Sequence, residues 1–414
     1  MRGKIRKGIA FVLSAVLGVA TIITTVPQLS VPVFAAGTGK NLQLGYAAIG
    51  EGFNTSSAAK VYFGSPENKD PLAWRVIGYN GNGTASTSGN ATLLSSDLIG
   101  SNIKFADTSD NQYNNGTSPS NLYTAIAGNN DSILAIRFTD KEKADSVMLK
   151  RLLRGREDQS EAYGSGNSDY IRGSDLADQK LWPLSTAEAT TVASEIRCIN
   201  DSWWLRSPGS NGNYAARVDN YGDVDFTGGY VNSNGGVRPA FNLNLSSIIF
   251  TSDAADIKSS GAAGTLNAPG DHSTTEWKLT VKDDGLTVAK NGSVTRTGTT
   301  IKVPYTVTVA AATSSYDRVS VFISDKEWNA EGAVLKYYGE LETSAADGTG
   351  SFTLPGDYDP SWKVYILAEK INGDTQTDYA SAPVKITIPA VSVVLVDNDA
   401  APNIIGAYGG ASIL

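Results

Sequence analysis

A mixed α+β domain followed by an all-β sandwich is the architecture this sequence predicts, and three observations predict it. Only 18% of residues are charged and 42 of 414 are glycine, a balance that favours many short strands and turns over long amphipathic helices. Spacings suited to capping boxes, Thr139 with Glu142 and Ser185 with Glu188, fall in the first half, where they can open helices. Past Trp277, apolar and polar residues alternate in stretch after stretch, the period of strands buried on one face.

The chain begins with a basic head (Arg2, Lys4, Arg6, Lys7), an apolar run from Ile9 to Val26 and the small-residue site Val33-Phe34-Ala35. This order predicts a secretory signal peptide over residues 1–35, cut after Ala35; the competing reading is an uncleaved anchor, since about 20 apolar residues span a bilayer. A second apolar run of that length does not follow, so no membrane span is expected after cleavage, and the predicted location is secreted or cell-surface. Net charge is -8 and the pI is near 4.9, which argues against nucleic acid or an anionic membrane as partner. The expected partner is an unknown protein or glycan outside the cell.

Between Leu42 and Phe250, strand-forming residues at Val61-Tyr62-Phe63-Gly64 and Trp74-Arg75-Val76-Ile77 flank a turn-prone segment and predict a hairpin. Ser118-Pro119 predicts the start of a short helix through Leu122 and Ile126 to Gly128. Thr139 opens what should be the best helix, with Val147, Met148, Leu152 and Leu153 at helical intervals, and Ser185 opens another toward Ile196. Cys198 is the sole cysteine, so no internal disulfide can form; a buried small hydrophobe is the expectation, a reactive thiol the alternative.

Trp203-Trp204-Leu205-Arg206-Ser207-Pro208-Gly209 and Gly236-Val237-Arg238-Pro239-Ala240-Phe241 frame a polar run in which Ala216, Val218, Val224 and Phe226 recur with period two. Short strands joined by glycine turns are predicted there. Trp204, Arg206, Arg238 and Pro239 read as scaffold: the indole buries a large ring, and each guanidinium can donate to carbonyls that proline-interrupted strands leave unpaired.

These framing motifs, with Trp74-Arg75-Val76-Ile77 and Leu184-Ser185-Thr186-Ala187-Glu188, resemble a family of uncharacterised secreted bacterial domains. The resemblance covers roughly Leu42 to Phe250, and it implies a C-type-lectin-like fold related in architecture to the formylglycine-generating enzymes. Those enzymes depend on a cysteine pair, so with one cysteine their activity is not carried over. The Glu-Pro-Asn type sugar-and-calcium signature of true C-type lectins is also absent.

The expected domains are therefore a C-type-lectin-like domain over 42–250, a Gly/Ala/Ser-rich linker over 251–275 and a sandwich over 276–390. Six or seven short strands in about 110 residues make the sandwich immunoglobulin-like. Residues 391–414 read as an extra strand with a loose tail, or as the stub of something longer.

The candidate ligand-binding residues are Asn211, Asn213, Tyr214, Arg217, Asp219, Asn220, Tyr221, Asp223, Asp225, Tyr230, Asn232 and Asn234. They mix rigid aromatic area with adaptable hydrogen bonding, the combination recognition loops use, although tight turns alone account for some of the asparagines. No catalytic set, metal site or cofactor is expected. His272 is the sole histidine, which removes most triad and histidine-metal chemistry. The alternatives are a carbohydrate-active enzyme or calcium site using Asp219, Asp223 and Asp225, and a structural envelope protein. Lys, Glu, Gln, Met and Trp total 48 of 414 residues, yet none occurs from Ser210 to Gly236. In this the window resembles the variable repeat of proteins diversified by a reverse-transcriptase-based retroelement, many of which use a C-type-lectin-like fold.

Overall fold

The structure, a computed structural model, describes residues 40–45, 54–55, 59–64, 70–79, 89–114, 119–153, 176–255, 258, 261–272, 275–341 and 345–391. The predicted signal peptide and all of the predicted tail but Val391 lie outside the described residues.

Five strands come first: β1 (Leu42–Leu44), β2 (Lys60–Tyr62), β3 (Ala73–Tyr79), β4 (Asn90–Ser95) and β5 (Gly100–Lys104). After them come α1 (Asn121–Tyr123), a π-helical turn over Thr124–Gly128, α2 (Ile133–Ile136), β6 (Met148–Leu149), β7 (Arg151–Leu153), β8 (Leu176–Gln179) and β9 (Trp182–Pro183). Next are α3 (Thr186–Thr191), α4 (Ser194–Arg197), β10 (Trp203–Pro208), β11 (Tyr214–Val218), β12 (Val224–Tyr230), β13 (Asn234–Val237), β14 (Pro239–Asn244) and β15 (Ile248–Asp253). The rest is all strand: β16 (Glu276–Lys282), β17 (Leu286–Lys290), β18 (Thr295–Thr297), β19 (Thr300–Val309) and β20 (Arg318–Ser324). It ends with β21 (Leu335–Glu340), β22 (Asp347–Thr353), β23 (Lys363–Lys370), β24 (Asp378–Ala380) and β25 (Val384–Ile386).

The result is an extended, β-rich structure with few short helices. The largest sheet runs β21-β20-β23-β24-β16-β2-β3-β4-β14-β6, and a five-stranded sheet runs β12-β11-β10-β13-β5. A smaller sheet, β17-β19-β18 with β22 on β19, shares a hydrophobic core with β20 and β23: Ile301, Val303 and Tyr305 meet Val321, Ile323 and Ile366 there.

The first hairpin forms as its residues predict, with Val61 opposite Trp74 in antiparallel register. Trp74 lies edge-on to Phe241 at 4.7 Å between ring centroids, in a fully buried cluster. Ser185 and Glu188 make a complete capping box on α3. The helix stops at Val192, which is extended, and α4 is a separate turn capped at Ala193. The cap of α1 is Ser120, whose hydroxyl accepts from the Tyr123 N–H at 3.0 Å; Ser118 is outside the described residues.

The helix expected from Thr139 is absent. Its box does close: Glu142 Oε2 accepts from the Thr139 N–H at 2.8 Å, and the Glu142 N–H donates to Thr139 Oγ1 at 3.2 Å. The second carboxylate oxygen, however, accepts from the Gly64 N–H and the Thr377 hydroxyl. Downstream, Met148 pairs with Leu243 in the large sheet. Long-range partners thus outweigh a local helical preference worth only tenths of a kcal/mol per residue.

Cys198 is half-exposed rather than buried, and its thiol faces the Asn220 carbonyl at 3.6 Å. The stretch read as a linker, 251–275, begins as β15, which pairs with β1 and β16. β16, expected to open the sandwich, pairs in parallel with β2 through Glu276–Lys278 and with β24 through Thr280–Lys282. The large sheet is therefore continuous between the two halves of the sequence.

Candidate functional site

The framing motifs build a rigid base for the five-stranded sheet. Trp204 is buried; its indole N–H donates to the Ile103 carbonyl at 2.8 Å, and its ring meets Phe105 edge-on at 5.8 Å. Arg206 donates to the Pro183 carbonyl at 2.9 Å and is ion-paired with Glu188, which Arg151 also reaches at 2.5 Å. Burial would raise the Glu188 carboxyl, but the charges of Arg206 and Arg151 outweigh it and hold the group below the usual carboxylate range. Arg238 donates to the Ser95 carbonyl at 2.6 Å and the Arg197 carbonyl at 3.3 Å, and lies over the Trp203 ring. Burial pulls its guanidinium down to about 10, still well above neutral pH. Pro239 sits opposite Pro183, where β14 meets β9.

On this base stands the β11–β12 hairpin, with β12 at the edge of the sheet. Its tip is closed by Asp219, whose Oδ1 accepts from the Tyr221 and Asp223 N–H groups at 2.9 Å each. Gly222 completes the turn at φ +87°, where an added Cβ would meet Cys198 at 2.8 Å. Arg217 and Asp225 face each other across the strands, Nε to Oδ2 at 3.1 Å. The other Asp225 oxygen accepts from the Gly228 N–H at 2.9 Å. Asn211 Oδ1 likewise accepts from the Asn213 N–H, and its carbonyl accepts from the Asn111 amide at 2.9 Å.

Asp219 Oδ1 and both Asp225 oxygens are thus spent inside the hairpin. Asp223 and Asn220 are exposed at the tip. Among the described residues no group of three or more His, Cys, Asp or Glu side chains could hold a metal ion.

The aromatic side chains are disposed differently. Tyr214 and Tyr230 are cross-strand partners with ring centroids 4.4 Å apart, and their hydroxyl hydrogen bond pushes the Tyr214 phenol up. Tyr214 is half-buried, whereas Tyr230 is 55% exposed and Tyr221, at the tip, 77% exposed. Asn213, Asn232 and Asn234 are exposed. Asn234, paired with Lys104 between β13 and β5, also borders a cleft of about 410 Å³.

Sequence reasoning missed the rest of that cleft. Asn102, Lys104, Asp107, Asn121 and Asn129 line it beside Asn234. The Asn121 amide and Lys104 hold the Asp107 carboxyl below its usual range, so the wall is an ordered polar array. The available signal was the density of asparagine between 102 and 130, which reads equally well as turns and caps.

Residues 89–245 match a family described as a domain of unknown function (DUF6273); this segment contains both framing motifs, the hairpin and the cleft. No curated protein matches the chain. A crystal structure of a DUF3823 family protein from Bacteroides ovatus ATCC 8483 is 16% identical over 27% of this chain and 56% of that protein, with a TM-score of 0.17. Among the described residues no helix is long and apolar enough to cross a membrane.

Proposed function

We propose that this chain is a secreted or cell-surface recognition protein, built on a C-type-lectin-like first domain, that binds a glycan along the β11–β12 hairpin and in the adjoining cleft. The observation that carries the reading is the division of labour within the hairpin. Asp219, Asp225 and Asn211 are committed to backbone and to Arg217, so the turns hold without the tyrosine side chains, yet Tyr221 and Tyr230 stand well out in solvent. Exposed tyrosines offer rigid amphipathic area at low entropic cost. The neighbouring amides and the Lys104–Asp107 pair, 3.2 Å apart, supply donors and acceptors of the kind sugar hydroxyls require.

The full chain should therefore bind members of a glycan array. Tyr221→Ala with Tyr230→Ala should abolish that binding while leaving the thermal transition in place. Binding to a protein array alone would move the reading to a protein ligand. Silence on both, together with hydrolysis of a polysaccharide, would replace it with an enzyme.

A further inference from the structure

Away from the hairpin, a fully buried set of charges lies where β16, β23 and β24 meet. The side chains of Lys258, Lys278, Glu369 and Asp378 are all without solvent exposure. Lys258 Nζ is 2.7 Å from Glu369 Oε1, 2.7 Å from the Thr280 hydroxyl and 3.3 Å from Asp378 Oδ2. Asp378 Oδ1 accepts from Lys278 Nζ at 3.1 Å and from the Asn372 N–H at 2.7 Å. Its Oδ2 accepts no hydrogen bond among the described residues. Tyr338 donates to the second Glu369 oxygen at 2.6 Å.

We infer that Lys258 and Asp378 condense to an intramolecular amide, with Glu369 as the proton carrier. Lys258 Nζ thus lies between two carboxylates, in hydrogen-bond contact with Glu369 and 3.3 Å from Asp378 Oδ2, close enough for reaction to need little movement. Asp378 Oδ1 is held by a cation and a backbone donor while Oδ2 faces only the Lys258 ammonium. Burial would raise the Glu369 carboxyl, but Lys258 and Arg318 outweigh it and keep it ionised, the state a base requires.

In the reaction, Glu369 takes a proton from the Lys258 ammonium and delivers it to Asp378 Oδ2. The freed Nζ lone pair attacks Asp378 Cγ, and the negative charge that develops on Oδ1 faces Lys278 and the Asn372 N–H, as in an oxyanion hole. Glu369 then carries the second nitrogen proton to the same Oδ2, the C–O bond breaks and one water leaves. Nothing is oxidised or reduced, and Glu369 ends as it began. A cavity of about 60 Å³ bordered by Lys258 and Tyr338 is large enough to receive a water molecule. The product removes the buried Lys258 and Asp378 charges, while Glu369 keeps the Arg318 charge nearby and Lys278 keeps the Asn372 and Gly373 carbonyls.

The test is peptide mapping by mass spectrometry of the purified full chain after denaturation and proteolysis. The peptides carrying Lys258 and Asp378 should be recovered joined, lighter than their sum by one water, with Lys258 resistant to trypsin. Glu369→Gln should lose the joined species, as should Lys258→Arg. Separate, unmodified peptides from the native chain would overturn the inference without recourse to any variant, and a link from Lys278 would overturn the assignment to Lys258.

Discussion

Arg238 and Tyr221 stand for the two kinds of residue in the framed stretch, and they should respond to substitution in opposite ways. Arg238→Ala takes the guanidinium donor from the buried Ser95 carbonyl, while the Arg197 carbonyl keeps the Trp203 indole N–H, at about 1–3 kcal/mol for a buried group left unpaired. Trp204→Ala empties a site filled by a whole indole, at about 3–5 kcal/mol. Tyr221→Ala, at an exposed tip, should change stability by no more than about 0.5 kcal/mol. Chemical denaturation of the three variants measures the contrast, and a Tyr221→Ala loss as large as that of Arg238→Ala would make the hairpin a core element rather than a binding surface. Glu188 adds a pH signature. Its folded-state value lies below the ordinary 4.5, so its contribution is fully present above about 4.5 and is lost as pH falls through the depressed value. Stability measured against pH should decline less steeply below 4.5 in Glu188→Gln than in the native chain, although the variant starts less stable at neutral pH.

The short elements were legible where a local signal had no competitor. Ser185 and Glu188 cap each other, and Thr186–Thr191 is helical as that pair implies; Val61 and Trp74 alternate and pair as strands should. Thr139 and Glu142 carry an equally good box, yet Gly64 and Thr377 take the other Glu142 oxygen, and β14 takes Met148 and Leu149. None of these three partners is near in sequence, so no window around Thr139 contains the information. The candidate site divides in the same way. The hairpin was legible because its strands, turn and tyrosines are contiguous. The cleft was not, because Asn102 and Asn234 approach only through pairing of β5 with β13, whose strands are 130 residues apart in sequence.

At the scale of the whole molecule, the same long-range pairing decides how the chain should unfold. A linker at 251–275 would leave two halves that melt independently, and its Gly/Ala/Ser composition suggests one. Yet β16 is hydrogen-bonded to β15 along one edge and to β2 and β24 along the other. Leu279, Val281 and Tyr379 belong to the hydrophobic cluster that also holds Trp74 and Phe241. Lys141 and Asp283, both largely buried, pair at 2.7 Å. Separating the halves would expose that apolar surface and strand these charges, a penalty of several kcal/mol for the ions alone. Calorimetry of the full chain should accordingly give a single cooperative transition with equal calorimetric and van't Hoff enthalpies. A chain ending at Asp271 should fail to reach that state, because it lacks the strand that pairs with β2 and β15. Two resolved transitions, with the truncated chain reproducing one of them, would show that the sheet is divisible at the linker after all.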